Sequence, residues 1–186
     1  MKLSTLIIST TLLGAVAWAQ TLTIKQEGIG YIKMLGGTLK SELQAKMKED
    51  PTGITAAKFC KERASSITKE INAKLPEYAS VRRTALKIRN KDNKADATDD
   101  KVMNAYIKAI EEKKYSPKDA IKVVEEGGIT RIYKPLFVQK ACLKCHGTSV
   151  SPKIITLIKE GYPDDKAIDL FEGDLRGVIV AEIKKH

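Results

Sequence analysis

The chain has 186 residues, of which 42% are hydrophobic, and it carries a formal net charge of +10 at pH 7. This length is one domain's worth of chain and is sufficient to bury a hydrophobic core. The positive charge comes mainly from lysine and fits an acidic partner, anionic lipid headgroups or simply solubility. We find no internal repeat and no low-complexity segment.

The first 19 residues have the pattern of a secretory signal peptide. Lys2 supplies a positive start, and the apolar stretch Leu3–Val16 follows it. Ala17-Trp18-Ala19 forms a small-x-small cleavage site before Gln20. The apolar stretch is short for a membrane span, and an uncleaved N-terminal anchor is the alternative.

We therefore predict that residues 1–19 are a signal peptide and that residues 20–186 form a single exported domain, periplasmic or secreted. No later segment approaches the length of a membrane span, so we expect no transmembrane segment after cleavage. Export also excludes nucleic acid as a partner, although the basic charge alone would have left it open.

Two amphipathic helices are predicted in the first half of the mature chain. The first runs from Tyr31 to Glu49, although Gly36-Gly37 weakens it locally. The second is entered through Asp50-Pro51 and ends before Pro76. Its apolar stripe points at the core and consists of Ala57, Cys60, Ala64, Ile67 and Ile71. From this stripe alone Cys60 is a buried structural cysteine.

The middle of the chain is less regular. Tyr78–Ile88 fits either a strand or a short helix, and the polar segment Arg89–Asp100 is predicted to be a surface loop. Asp99 or Asp100 is expected to cap a third helix, Lys101–Lys114. Met103 lies on its inner face, where a methionine is usually core packing.

The second half of the mature chain has strand patterns. Ile121–Val124 and Ile129–Val138 flank a glycine turn and predict a β-hairpin, with Pro135 at an edge or a bulge. A short helix is expected over Lys153–Glu160 and a last strand over Leu175–Ile183. Helices first and sheet later indicate an α+β domain.

The sharpest motif is Cys142-Leu143-Lys144-Cys145-His146. Two thiols three positions apart and an adjacent imidazole match the attachment site of a single covalent haem c. His146 would be the proximal iron ligand. The alternatives are a dithiol or disulfide pair, a Cys3His zinc site that includes Cys60, and chance.

Cysteine and histidine counts limit the second iron ligand. If Cys142 and Cys145 are consumed by thioethers, Cys60 is left as an unpaired thiol in an oxidising compartment. The only histidine outside the motif is His186, the last residue. The remaining candidates for the distal position are Cys60, Met34, Met47, Met103, a lysine, or an open site.

Five sequence blocks together resemble the c-type haem-binding, PAS-like bacterial domain family, long catalogued as a domain of unknown function. The blocks are Cys60 in its helix, Arg83–Asn90, Lys134–Leu136 leading into Cys142–Gly147, Tyr162–Ala167 and Gly173–Gly177. They cover nearly the whole mature chain. The chain departs from the family pattern between Lys91 and Asp100, where prolines are missing, and at Asp169–Phe171, where a Gly-Tyr pair is expected.

The resemblance implies a PAS-like antiparallel sheet with N-terminal helices packed on it and one covalent haem. It also implies that His146 is the proximal ligand and Cys60 the distal ligand. Met103 is a reserve candidate because of its place on the predicted third helix. Arg83 and Arg89 lie in a shared block and are candidate contacts of the haem propionates, since guanidinium groups commonly pair with carboxylates. A solvated face is the alternative for both arginines.

A Cys/His-ligated iron predicts a redox sensor, or a sensor of a small ligand if the site opens on reduction. A thiolate favours the ferric state, so reduction would weaken the bond to Cys60 and move its helix. A periplasmic electron-transfer cytochrome with an acidic partner is the alternative. A haem peroxidase is disfavoured because the chain offers no distal histidine, so we expect a non-enzymatic protein with an unidentified redox or signalling partner.

Overall fold

The computed structural model describes residues 22–184, apart from the side chain of Asp119. The predicted signal peptide, residues 1–19, lies outside these residues, and so does His186. Within the described residues, no helix is both long and apolar enough to cross a membrane.

The first helix, α1 (Ile24–Glu49), begins seven residues before the predicted start at Tyr31. Its start is fixed by a capping box in which Thr23 and Gln26 bond each other's backbone N–H groups. Gly36 lies inside the helix. A Cβ there would meet Ile179 Cδ1 at 2.8 Å, so the glycine lets α1 lie close to the sheet.

The predicted second helix is two helices, α2 (Ile54–Glu62) and α3 (Ala64–Asn72), which meet at Arg63. The single continuous helix was therefore wrong, although its stripe stays on the core side. The N-cap of α2 is Gly53 and not Asp50, although the Asp50 carboxylate accepts the backbone N–H of Thr55 in the first turn at 3.0 Å. Gly53 precedes α2 with φ of 88°, a left-handed conformation that favours glycine.

The sheet has four antiparallel strands among the described residues, in the order β1-β4-β3-β2. The strands are β1 (Ala79–Thr84), β2 (Lys122–Glu126), β3 (Ile129–Phe137) and β4 (Leu175–Lys184). The undecided segment Tyr78–Ile88 thus forms a strand, and the predicted hairpin and last strand are confirmed. Gly127 and Gly128 make the hairpin turn with φ of 57° and 77°.

Pro135 lies in β3, an inner strand, at a position where one side of that strand is free. β2 pairs with β3 only over Ile129–Tyr133, so Pro135 has a paired residue on the β4 side alone. A proline, which has no backbone N–H to donate, is tolerated at such a position. The register shifts between Leu136 and Phe137, one residue further on. Pro135 therefore satisfies both expectations, a locally unpaired edge and an adjacent bulge.

The two faces of the sheet are covered by different helices. Alternate residues of β4 separate the two cores, with Ile179 and Ala181 on one face and Val178 and Val180 on the other. On the first face the sheet packs against α1, α2 and α3, through Ile32, Leu35, Phe59, Ile67 and Ile71. The second face packs against α4 (Ala97–Glu111), through Val102, Met103 and Tyr106. This arrangement confirms an α+β fold with N-terminal helices on an antiparallel sheet.

The start of α4 differs from the prediction. Asp96 is the N-cap, and Asp99 is the third residue of the helix and is fully buried. Arg82 on β1 donates to both oxygens of Asp99, at 2.8 Å and 3.1 Å. The expectation that Arg89–Asp100 is a surface loop was therefore wrong over its last residues, because Ala97–Asp100 form the first turn of α4 and Asp99 is buried there.

Two short helices follow the sheet hairpin. The motif helix α5 (Leu143–His146) is a single turn, and α6 (Pro152–Gly161) follows it with Pro152 at its first position. The predicted helix Lys153–Glu160 is thus confirmed to within a residue at each end. α6 packs against α2 and the motif through Ala57, Cys145, Ile154 and Ile158.

Candidate functional site

The five-residue motif forms one compact turn between β3 and α6. Cys142 ends a short 3-10 turn, and Cys145 and His146 lie on α5. Gly147 ends α5, and its N–H donates to the carbonyl of Leu143 at 3.0 Å. Cys142, Cys145 and Cys60 are all free thiols and are partly buried.

The imidazole of His146 is held in one orientation by the segment that follows α6. Its Nδ1 lies 2.7 Å from the carbonyl oxygen of Ala167. A carbonyl only accepts, so Nδ1 carries the proton and Nε2 keeps its lone pair. Burial, together with the charges of Arg176 and Arg89, lowers the pKa of His146 to about 3, and the ring is therefore neutral at pH 7.

Cys60 is brought towards the motif by α2. The hydroxyl of Tyr162 donates to the backbone carbonyl of Cys60 at 3.1 Å, and Tyr162 packs in the same cluster as Cys145. Burial raises the pKa of the Cys145 thiol to about 11, and the nearby Cys60 adds to this rise. Burial also raises the pKa of Cys60, against the opposing influence of Arg83, Arg89 and Arg176.

Arg89 ties the motif to the segment after α6. Its side chain is 10% exposed and forms an ion pair with Asp165 at 3.0 Å. The same Nη2 donates to the carbonyl of Cys145 at 2.6 Å and to that of Ala167 at 3.2 Å. The carbonyl of Ala167 also accepts the hydrogen bond of His146 Nδ1. Arg89 therefore helps to fix the imidazole through its bonds to the carbonyls of Cys145 and Ala167.

Two further arginines lie beside the thiols. Arg83, on the Cys60 face of β1, has a buried Nε with no hydrogen-bond partner among the described residues. Arg176, at the start of β4, donates to the carbonyl of Lys87 at 3.1 Å. Burial lowers the pKa of Arg83, and burial with the charges of Arg89 and Arg83 lowers the pKa of Arg176 to about 10.

Met103 is not brought together with the other predicted site residues. It is fully buried among Tyr106, Tyr133 and Val180 on the second face of the sheet. Cys60 packs with the core of the first face. The sheet therefore lies between Met103 and Cys60.

An apolar cleft borders the motif. It has a volume of about 260 Å³ and is lined by Gly147, Thr148, Val150, Ile155, Ile158, Lys159, Pro163, Asp165, Ile168 and Asp169. Its lining includes neither the three thiols nor His146, so the cleft lies beside the site that those residues form.

The zinc interpretation finds no support in this geometry. Within residues 22–184, no three His, Cys, Asp or Glu side chains converge closely enough to hold a metal ion. Cys60 and the motif are neighbours, but they do not form a compact Cys3His set.

The sequence assigned no role to Arg176, Asp165, Tyr162 or Ala167. All four lie in the blocks Tyr162–Ala167 and Gly173–Gly177, which contribute to the family resemblance. That resemblance was the one available signal. Their partners lie far away along the chain, so no local pattern indicates the contacts.

The chain belongs to the Tll0287-like family, whose model matches residues 17–183. The family predicted from the sequence blocks is thereby confirmed. Among solved structures, the chain is similar to one described as "Crystal structure of the cyanobacterial heme-protein Tll0287", with a TM-score of 0.56 and 23% sequence identity. That likeness covers 82% of this chain and 95% of the other and supports the shared fold. No curated protein matches the chain.

Proposed function

We propose that the protein binds one haem c. Cys142 and Cys145 would each add a sulfur across one vinyl group, with the thiol hydrogen moving to the neighbouring vinyl carbon. His146 Nε2 and Cys60 Sγ would be the two axial ligands of the iron. Membership of a family that includes a cyanobacterial heme-protein supports the haem, and the Cys142–His146 pattern supports its covalent attachment.

One observation carries this proposal, namely the approach of a third thiol to the motif. Cys60 is separated from Cys145 by 85 positions in sequence, yet Tyr162 donates to the carbonyl of Cys60 and packs in the same cluster as Cys145. The orientation of His146 also fits a haem. His146 has its Nδ1 occupied by Ala167, which leaves Nε2 as the ligand atom that a metal-bound imidazole requires.

The haem would supply an iron that changes between the ferric and ferrous states. Cys60, as a thiolate, would favour the ferric state and would take up a proton at Sγ when the iron gains an electron. The neutral imidazole of His146 is suited to remain bound in both states. A change of redox state then becomes a change at Cys60 alone.

The helix that carries Cys60 is suited to respond to such a change. α2 has nine residues and is bounded by Gly53 and by the break at Arg63. Tyr162 holds its carbonyl at Cys60, and Lys61 pairs with Glu160 of α6 at 3.0 Å. Loss of Cys60 as a ligand would leave α2 held by these two contacts and by the packing of Ala57 and Phe59. We therefore propose a redox sensor, or a small-ligand sensor if the site opens.

Electron transfer is the second candidate, and a specific surface feature favours it. Five exposed lysines lie in and next to the motif along the sequence, namely Lys140, Lys144, Lys153, Lys159 and Lys166. Such a group of basic residues suits an acidic redox partner and would speed its association. An enzymatic role has weaker support, because no histidine other than His146 lies in the described residues to serve as a distal acid or base.

Both candidates place the protein outside the cytoplasmic membrane, where haem c is attached. We propose that residues 1–19 act as a cleaved signal peptide and that the mature protein is periplasmic or secreted. Mass determination of the protein purified from the periplasm tests this directly, since cleavage before Gln20 fixes the expected N-terminus.

The functional test is to express the chain with haem-attachment machinery and to record optical spectra before and after dithionite. Haem that stays with the chain in denaturant, and is lost from it in the Cys142→Ala/Cys145→Ala variant, would support covalent attachment. Loss of the sulfur ligand on reduction would support the sensor. Sulfur bound in both states would contradict the sensor and favour the carrier, and a colourless protein would contradict both.

A further inference from the structure

Three arginines surround the proposed haem site, and they share one carboxylate. Arg89 forms its ion pair with Asp165, whereas Arg83 and Arg176 form no ion pair within the part of the chain that the structure describes. The three side chains come from β1, from the segment after it and from β4. They lie close enough for their charges to interact, since Arg89 and Arg83 both lower the pKa of Arg176.

A cluster of this kind is unfavourable without an anion. Removing a guanidinium group from water costs free energy unless it is paired and hydrogen-bonded. Arg83 Nε and Arg89 Nε are buried and have no hydrogen-bond partner among the described residues. The surplus of cations over carboxylates and the two unused donors both indicate that the site is built for an added negative charge.

The three arginines are not equivalent. Arg89 Nη2 is already committed to Asp165 and to the carbonyls of Cys145 and Ala167. Among the described residues, Arg176 makes one bond, to the carbonyl of Lys87, and Arg83 makes none. Arg89 keeps an unused Nε, but its Nη2 is fixed by three partners, so Arg83 and Arg176 are the guanidinium groups with the most donors left for a ligand.

We propose that Arg83 and Arg176 form a binding site for the two propionate carboxylates of the haem, and that Arg89 is a positioning residue for His146. This inference rests on the proposed haem. It replaces Arg89 with Arg176 as a direct contact, which the sequence did not indicate. Arginine suits the role, because its planar fork binds a carboxylate through two parallel hydrogen bonds.

The same chemistry would accept a free anion such as phosphate in place of a propionate. The two sources differ in a measurable way. A propionate is attached to the haem, so its pairing with arginine alters the iron whatever the buffer contains. A free phosphate would act only when it is added.

The expected effect follows from charge. An unpaired propionate leaves a negative charge near the iron and favours the ferric state, so loss of Arg83 or Arg176 should lower the haem reduction potential. Arg176→Lys keeps the charge and should restore most of the potential, whereas it cannot reproduce the two-bonded fork. The exposed Lys153 lies near the motif, and Lys153→Gln is the matched control because solvent screens its charge.

The experiment measures the potential of the haem-loaded protein and its resonance Raman propionate bands in Arg83→Gln, Arg176→Gln, Arg176→Lys and Lys153→Gln. The proposal predicts a lower reduction potential and shifted propionate bands in Arg83→Gln and Arg176→Gln. The potential should return towards the wild-type value in Arg176→Lys and stay unchanged in Lys153→Gln. Unchanged bands and potential in Arg176→Gln would overturn it, even if Arg83→Gln fails to fold. A wild-type potential that moves with phosphate at constant ionic strength would also overturn it, in favour of a free anion. A colourless wild-type protein would instead overturn the haem itself.

Discussion

At the scale of single residues, the site depends on which atom of each side chain is left free. The carbonyl of Ala167 occupies Nδ1 of His146, and Arg89 holds Ala167 in place. The histidine is thus fixed as a neutral base with Nε2 available. Because the folded protein keeps His146 neutral, the stability of the haem-free protein should depend on pH.

The free energy of unfolding of the haem-free protein should fall between pH 6.5 and pH 4.5. His146 has a pKa of about 3 in the folded protein and about 6.5 when unfolded, so in this window only the unfolded state takes up the proton. Stability is therefore lost as pH decreases, by up to about 1.4 kcal/mol per pH unit. Urea denaturation of wild type and of His146→Asn checks this, and parallel pH profiles for the two proteins would contradict it.

Residue roles were predictable from the sequence where chemistry is local and unpredictable where it is not. The pattern Cys142–His146 stands on five consecutive residues, and Cys60 stood out as the remaining cysteine. Asp99 was predicted as an exposed cap but is 0% exposed, because Arg82 and Tyr133 reach it from two strands. Pairings of this kind depend on the strand register, which no local pattern specifies.

At the scale of elements, α2 is the helix that the proposed change at Cys60 would affect first. It carries Cys60 and lies between Gly53 and Arg63, where the helical path is interrupted. The hydroxyl of Tyr162 joins it to the end of α6. This bond therefore contributes to how firmly the helix is held.

Tyr162→Phe should loosen α2 selectively. Loss of the hydrogen bond to Cys60 should cost about 0.5–1.5 kcal/mol of stability and should increase hydrogen exchange in α2. Tyr106→Phe is the matched control, because its hydroxyl donates to the carbonyl of Ala120 at 2.7 Å on the other face of the sheet. Equal exchange rates in α2 for the two variants would show that Tyr162 does not hold this helix.

The sequence indicated the existence of most elements but not all of their limits. The stripe through Cys60 and Ile71 keeps helical spacing across Arg63, and no glycine or proline marks the break. The early start of α1 did have a signal, since Thr23 and Gln26 have the spacing of a capping box. Apolar periodicity reports which side of a helix is buried, and it does not report whether the axis continues.

At the scale of the whole molecule, the sheet separates two cores with different contents. Cys60 belongs to the first face, whereas Met103 belongs to the second face under α4. The order of helices and strands was enough to predict the α+β class. The sequence could not assign Met103 to a face, because a methionine packs in a core and binds iron with the same side chain.

Met103→Leu should leave the haem spectrum unchanged. The substitution keeps the side chain apolar and close to the original volume, so it should cost less than about 1.5 kcal/mol of stability. Optical and EPR spectra of the haem-loaded variant check this. A new spectrum in this variant would mean that Met103 reaches the iron and that the structure rearranges when haem binds.

The most direct test of the account is the EPR and optical spectrum of the ferric, haem-loaded protein beside its Cys60→Ala variant. Ligation by Cys60 predicts low-spin signals of a thiolate-ligated iron in the wild type and their complete loss in Cys60→Ala, with the haem still covalently attached through Cys142 and Cys145. Identical spectra for the two proteins would contradict ligation by Cys60 and, with it, the proposed sensor.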